Sequence, residues 1–247
     1  MDNPFSLDGR RALVTGANTG IGQAIAVALG VAGADVICAA RRSCEETLAQ
    51  LAARGARGIE LRLDFADPMA ATGVFAENQV DILVNNAGII RRDDSIDYNE
   101  ADWDAVMDVN LKALFFTTQA FAKAVLARGG TGKVVNIASL LSFQGGIRVP
   151  AYTAAKHGVA GLTKILANEW AAKDINVNAI APGYIETNNT EALRADPERS
   201  TAILDRIPAG RWGRPGDIAQ AAVFLSAPAS DYIQGAVLNV DGGWLAR

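Results

Sequence analysis

The sequence predicts a doubly wound α/β domain: a parallel sheet of about seven strands with helices on both faces. Three observations carry that expectation. Short apolar or β-branched runs alternate with helical stretches along most of the chain, the pattern that builds βαβ units. The first run is followed at once by a glycine-rich turn, Gly16 to Gly22, which opens a helix. The chain has 247 residues, an ordinary length for one α/β domain and enough to bury a sizeable core.

Taken in order, Arg11 to Thr15 reads as a buried strand and Ile21 to Val31 as an Ala-rich helix ended by Gly33. Asp35 to Ala40 is the second strand, Glu45 to Ala53 a helix and Gly58 to Leu63 the third strand. Met69 to Glu77 is expected as a helix and Asp81 to Asn85 as the fourth strand. Asp102 to Ala127 is expected as one long helix. Its stripe of Trp103, Val106, Leu111 and Leu114 would face the core, with Asn110 as the polar exception. Lys133 to Ile137, Ile175 to Ala181 and Ala236 to Val240 supply the remaining strands. Helices run from Tyr152 to Ala172 and from Pro215 to Leu225, the proline sitting in a first turn that accepts it. Tyr184 to Arg211 breaks the alternation, contains Pro197 and Pro208 and has only short helical possibilities, so it is expected as an irregular lid. No repeat or linker interrupts the chain, and one domain is expected over residues 1–247.

Composition narrows the class of partner. Net charge is −4 and no basic cluster exceeds Arg41-Arg42 or Arg91-Arg92, which argues against a nucleic-acid partner. Ala12 to Ala34 is uncharged, but Gly16, Asn18, Thr19, Gly20 and Gly22 interrupt it, so no membrane span is expected. Cys38 and Cys44 read as free thiols of a reducing compartment. His157 is the single histidine, so no metal site is expected. The start of the chain lacks the layout of a signal peptide, and the expected location is cytoplasmic.

The turn from Gly16 through Asn18, Thr19, Gly20 and Ile21 to Gly22 has the spacing GxxxGxG. Glycines at a strand-to-helix turn let the backbone approach a pyrophosphate, whose charge rests at the helix N-terminus. The fold is therefore expected to be Rossmann-like. Dinucleotide choice falls at the end of the second strand. A carboxylate there would take the ribose 2′-hydroxyl, yet the chain has Ala40, Arg41 and Arg42. An arginine pairs with a 2′-phosphate, so NADP(H) is favoured, through Arg41, with NAD(H) as the alternative. Asp64, after the third strand, is placed to accept from the adenine amino group. Tyr152 and Lys156 stand four apart on a helix and share a face. The ammonium is expected to lower the phenol's pKa and make it a general acid/base.

These residues stand in company. Asn85, Asn86, Ala87 and Gly88 follow a strand, and Ser139 follows another. Together with the glycine turn, Asn110, Tyr152 and Lys156 they resemble the short-chain dehydrogenase/reductase family, nearly end to end. Pro182, Gly183 and Thr187 are similar to the family segment that meets the nicotinamide. The resemblance implies an NAD(P)-dependent oxidoreductase acting on CH–OH groups. It implies that Tyr152 exchanges the proton at the substrate oxygen, and that Lys156 tunes Tyr152 and binds the nicotinamide ribose. It implies that Ser139 holds the substrate oxygen, and that Asn110 kinks its helix and holds a water linked to Lys156. It also implies a homotetramer, with the tail Gly242 to Arg247 packed at an interface.

The stretch Ser142 to Arg148, the pair Arg91-Arg92 and the expected lid supply Arg92, Gln144, Arg148 and Asn188 as substrate contacts. Arginines suit a carboxylate and amides suit hydroxyls, so a small sugar acid is expected. Ile90 to Arg92, Ser142 to Pro150, Asn188 to Thr190, Arg206 to Gly213 and Asp241 to Arg247 are similar to the sugar-acid dehydrogenases of pectin and alginate breakdown. That similarity implies interconversion of 2-keto-3-deoxygluconate and its 2,5-diketo acid. Two alternatives stand beside it: a 3-oxoacyl thioester reductase of the same family, which should need a basic docking face, and a non-catalytic dinucleotide-binding sensor, which needs no such set of Asn110, Ser139, Tyr152 and Lys156.

Overall fold

A computed structural model describes residues 3–247. The first half runs β1 (Arg11–Thr15), α1 (Gly20–Val31), β2 (Asp35–Ala40), α2 (Glu45–Ala52), β3 (Gly58–Arg62), α3 (Val74–Glu77) and β4 (Ile82–Asn85). The second runs α4 (Glu100–Met107), α5 (Ala113–Ala127), β5 (Gly132–Ile137), α6 (Pro150–Trp170), β6 (Ile175–Pro182), α7 (Glu191–Ala195), α8 (Pro197–Leu204), α9 (Pro215–Ser226) and β7 (Val237–Val240). The strands form one seven-stranded sheet in the order β3-β2-β1-β4-β5-β6-β7. Every pairing is parallel, with Val14 opposite Cys38 on one side and Val84 on the other. This is the doubly wound Rossmann-like architecture the alternation predicts. Its order reverses between β1 and β4, the crevice where such sheets bind ligands.

Successive residues of a strand point to opposite faces, and β1 shows what that builds. Ala12 and Val14 join a core with Ile25, Leu29, Ile218 and Leu225, under α1 and α9. Leu13 joins the other core with Leu83, Phe121, Val134 and Leu166, under α5 and α6. Both faces are covered, so the inner strands read as continuous apolar runs. All of β6 is buried. Cys38 lies wholly in the first core, and burial pushes its thiol up to about 12, so it is inert packing.

Two expectations are corrected. The helix expected from Met69 to Glu77 is reduced to Val74–Glu77. Ahead of it, Asp64 and Asp67 carboxylates accept the N–H groups of Ala66 (3.0 Å) and Met69 (2.9 Å), local turns that compete with a helix. The single helix expected from Asp102 to Ala127 begins earlier, because the Asn99 side chain caps the Asp102 N–H at 2.9 Å. A π turn over Asp108–Lys112 then divides it. The extra residue of a π turn shifts the helical phase, and Trp103, ahead of that turn, does not share the burial of Val106 and is 39% exposed. The stretch from Tyr184 to Arg211 holds only short helical segments, as expected. Pro197 starts α8 rather than breaking structure, and Asp196 caps it by accepting from Glu198 and Arg199 N–H.

A buried polar chain ties the second half together. The Asn85 amide donates to Thr118 Oγ1 (2.8 Å) and to Asn136 Oδ1 (2.9 Å), and Asn136 Nδ2 donates to Thr163 Oγ1 (3.0 Å). It joins β4 and β5 to α5 and α6 in a region from which water is excluded. Asn136→Ala removes two of these bonds and leaves polar atoms of Asn85 and Thr163 without them. The expected loss is about 2–4 kcal/mol of stability, read as a lower urea midpoint with an unchanged circular dichroism spectrum.

Candidate active site

Two turns meet where the strand order reverses. Thr15 Oγ1, at the end of β1, accepts the N–H groups of Asn86 (2.9 Å) and Ala87 (2.8 Å), which follow β4. In return Asn86 Nδ2 donates to the carbonyls of Thr15 (3.0 Å) and Gly16 (3.2 Å). Gly16 has φ +65°, and a Cβ on Gly22 would lie 2.2 Å from the Gly16 carbonyl oxygen. Neither position tolerates a side chain. The cleft above is lined by Gly16, Asn18, Thr19, Gly20, Ile21, Gly22, Asn86, Ala87 and Gly88 from these turns, and by Thr187 and Asn188 from the far wall. The first turn of α1 carries no acidic residue, which leaves its N–H groups and positive dipole end to an anion. This backbone cradle fits a dinucleotide pyrophosphate.

Arg42 also lines the cleft. Arg41 does not: its guanidinium lies 3.9 Å from Asp64, and both side chains are more than half exposed. The loop that carries both arginines is held from β3. Glu60 accepts the Cys44 N–H at 2.6 Å, and Arg62 donates to the Arg41 carbonyl at 3.4 Å.

Ser139 lies just past β5 and caps the turn that follows, accepting the Leu141 N–H at 3.1 Å. Pro150 starts α6, and the helix then presents Tyr152 and Lys156 on one face. Lys156 is buried. Its Nζ donates to the Ile137 carbonyl at 2.6 Å and lies 5.5 Å from the centre of the Tyr152 ring. Burial pulls the Lys156 pKa down to about 8. The expected fall in the Tyr152 pKa is not what the structure gives. Loss of water around the phenol pushes it up, against the opposing effects of the Ser139 hydroxyl and the Arg92 charge. Desolvation of both partners weakens the simple ammonium-to-phenol argument. Asn110, in the π turn, makes a two-point contact with one residue: its Oδ1 accepts the Ile89 N–H and its Nδ2 donates to the Ile89 carbonyl, each at 2.8 Å. The side chain is a clamp on the loop after β4, and each amide atom keeps one further hydrogen-bonding position.

Beside Tyr152 opens a cavity of about 460 Å³. Arg92, Gln144 and Asn189 line it, with Tyr184, Arg199, Arg206 and Trp244. Of the expected substrate residues, Arg148 is not brought there. It adopts φ +63° and pairs with Asp94 at 3.1 Å and Asp93 at 3.8 Å. Asn188 lines the dinucleotide cleft instead, and Asn189 reaches both.

With this geometry in hand, comparison with known proteins is decisive on kinship. A family profile described as enoyl-(acyl carrier protein) reductase matches residues 16–245. The chain belongs to the short-chain dehydrogenase/reductase family. It is 54% identical to the 2-dehydro-3-deoxy-D-gluconate 5-dehydrogenase of Escherichia coli K12, covering 98% of each chain. It is 55% identical to the protein of the same name from Bacillus subtilis 168, covering 100% of this chain and 99% of that one. A crystal structure of a proposed 2-deoxy-D-gluconate 3-dehydrogenase from Agrobacterium tumefaciens, with bound NADP, shares 74% identity. It superposes with a TM-score of 0.99 over all of both chains.

Within this short-chain dehydrogenase/reductase, sequence reasoning missed Arg199, Trp244 and the cleft role of Arg42. Arg42 was visible beside Arg41, but only the loop geometry separates them. Trp244 lies 100 residues from Gln144, to whose Oε1 its Nε1 donates at 3.3 Å, and no local pattern signals that pairing.

The depressed Lys156 pKa has a consequence for the cofactor-free protein. Below pH 8 the side chain is charged in both folded and unfolded chains, and the fold bears the full burial penalty. Above pH 10.5, the ordinary lysine value, both are neutral and the penalty is gone. Between these limits the unfolded chain binds more protons, so stability rises with pH. The stability of the wild type relative to Lys156→Met is expected to increase across that window, measured by urea unfolding on either side of it.

Proposed function

We propose that the chain is a cytoplasmic, NADP(H)-preferring oxidoreductase that interconverts a ketone and a hydroxyl group on a small sugar acid. The pair proposed is 2-keto-3-deoxygluconate and its 2,5-diketo acid. One observation carries the reading: the cavity beside Tyr152 is lined by Arg92, Arg199 and Arg206 and by no Asp or Glu among the described residues. Such a lining selects an anion of modest size. The names of the relatives from E. coli and B. subtilis support the same substrate class. A homotetramer with the tail at an interface is part of the proposal. No helix among the described residues is long and apolar enough to cross a membrane.

NADP, when bound, supplies or takes the hydride. Tyr152 holds and moves the proton at the substrate oxygen, and Ser139 orients that oxygen. Lys156, close under the Tyr152 ring, is the cation that offsets phenolate charge in a site poor in water, and it holds the nicotinamide ribose. Asn110 fixes the loop after Gly88 through Ile89, which keeps the floor of the cleft rigid. Pro182, Gly183 and Thr187 support the nicotinamide end, and Asp64 the adenine. The 2′-phosphate is assigned to Arg42, with Arg41 beside it. The segment 184–211 acts as the lid over the substrate.

Initial rates with the 2,5-diketo acid, using NADPH and NADH in parallel, test the reading. Turnover of a 3-oxoacyl thioester without turnover of the acid would overturn it. Tyr152→Phe is expected to lower kcat by about 10²–10⁴-fold while NADPH binding, followed by fluorescence titration, stays within a few-fold. Arg42→Ala is expected to raise the KM for NADPH by about ten-fold or more, the loss of a charge-assisted contact, and to leave the KM for NADH unchanged. An equal rise for both cofactors would remove the 2′-phosphate assignment.

A further inference from the structure

We propose that Arg206 is the carboxylate anchor of the substrate cavity, held in position by Trp244 of the C-terminal tail. This rests on the sugar-acid reading and assigns, within it, where the acid group goes.

The three cavity arginines are not equivalent. Arg92 stands at the reacting end: its charge acts on Tyr152 and its Nη2 donates to the Asn189 carbonyl at 3.4 Å. Arg199 and Arg206 act instead on Tyr184. No Asp or Glu among the described residues lies within ion-pairing distance of Arg206 or Arg199, whereas Arg148, Arg91 and Arg211 all have such partners. A guanidinium left unpaired beside a cavity is available to an anion.

Arg206 differs from Arg199 in being pre-oriented. Its guanidinium carbon lies 4.1 Å from the centre of the Trp244 ring. Stacking on an aromatic face occupies the plane of the guanidinium and leaves its edge N–H groups free. Those edges make the paired hydrogen bonds that a carboxylate accepts. Trp244 is itself 4% exposed and fixed from several sides. Its ring packs 4.8 Å from that of Tyr184, and its indole N–H donates to Gln144. The Asp241 carboxylate accepts the N–H groups of Gly243 and Leu245, each at 2.9 Å, and so winds the tail into the turn that presents Trp244. Arg247 donates to the Asp205 carbonyl at 2.7 Å, tying the chain end to the residue before Arg206. The tail therefore works as a brace, and less entropy is lost when the anchor engages its ligand.

The test compares the 2,5-diketo-3-deoxy acid with a neutral analogue bearing a primary alcohol in place of the carboxylate. The wild type is expected to prefer the acid. Arg206→Ala is expected to raise KM for the acid roughly ten- to hundred-fold and to leave kcat and the KM for NADPH within a few-fold. KM for the neutral analogue should barely move, so the preference collapses. Arg206→Lys keeps the charge without the planar fork and should fall between. Trp244→Leu should raise KM for the acid in the same way but less, and Trp244→Phe should restore most of the loss. A merely structural role for Trp244 would weaken acid and neutral substrates alike, and that result overturns the brace. An acid preference that survives in both Arg206 variants overturns the anchor while leaving the sugar-acid reading intact. A wild type with no preference for the acid overturns both.

Discussion

The site depends on one junction, the reciprocal hydrogen bonding of Thr15 and Asn86. A doubly wound sheet has a crevice where its order reverses, but the crevice is only as well defined as the two turns that border it. Here one hydroxyl accepts two backbone N–H groups from the turn after β4. The amide of that turn donates to two carbonyls of the turn after β1. Gly16 and Gly22 can approach so closely because they carry no side chain. The floor of the dinucleotide cleft is therefore a hydrogen-bonded unit built from two halves of the chain.

From that floor, burial decides the electrostatics. Lys156 sits under the Tyr152 ring with a single backbone carbonyl as its hydrogen-bond partner. A charged ammonium so placed is only marginally favoured, which is why its pKa is pulled down to about 8. The same lack of water lifts the phenol. Desolvation therefore moves the two groups apart in proton affinity, the phenol upward from its ordinary value and the ammonium downward to about 8, where sequence spacing alone suggested mutual charge stabilisation.

The cavity wall is assembled on another principle. It draws on the loop after β4, the turn after β5, α8 and the final turn of the chain. The first two are anchored to the sheet, whereas α8 is pinned by the tail through Arg247 and the packing of Ile203, Ile207 and Trp244. A wall made from terminal and lid segments changes without disturbing the sheet. That is consistent with one scaffold serving many substrates in this family.

The sequence by itself determined the sheet, its parallel winding and the turn that cradles a pyrophosphate. Those features are written in local periodicity and in residues adjacent along the chain: apolar runs buried on both faces, glycines between a strand and a helix, and a tyrosine and lysine one turn apart. It also marked Asn110, Ser139, Tyr152 and Lys156 as polar residues at places of a common kind. Tertiary structure alone decided the rest. It placed Arg42 rather than Arg41 along the cleft, turned Arg148 toward Asp93 and Asp94, inserted the π turn after Met107 and left Trp103 exposed. It also brought Trp244 against Gln144 and Arg206. Each of these outcomes rests on partners distant in sequence or on the direction a single side chain takes. Neither leaves a periodic trace, because an arginine reads the same whether it lines a cavity or pairs at the surface.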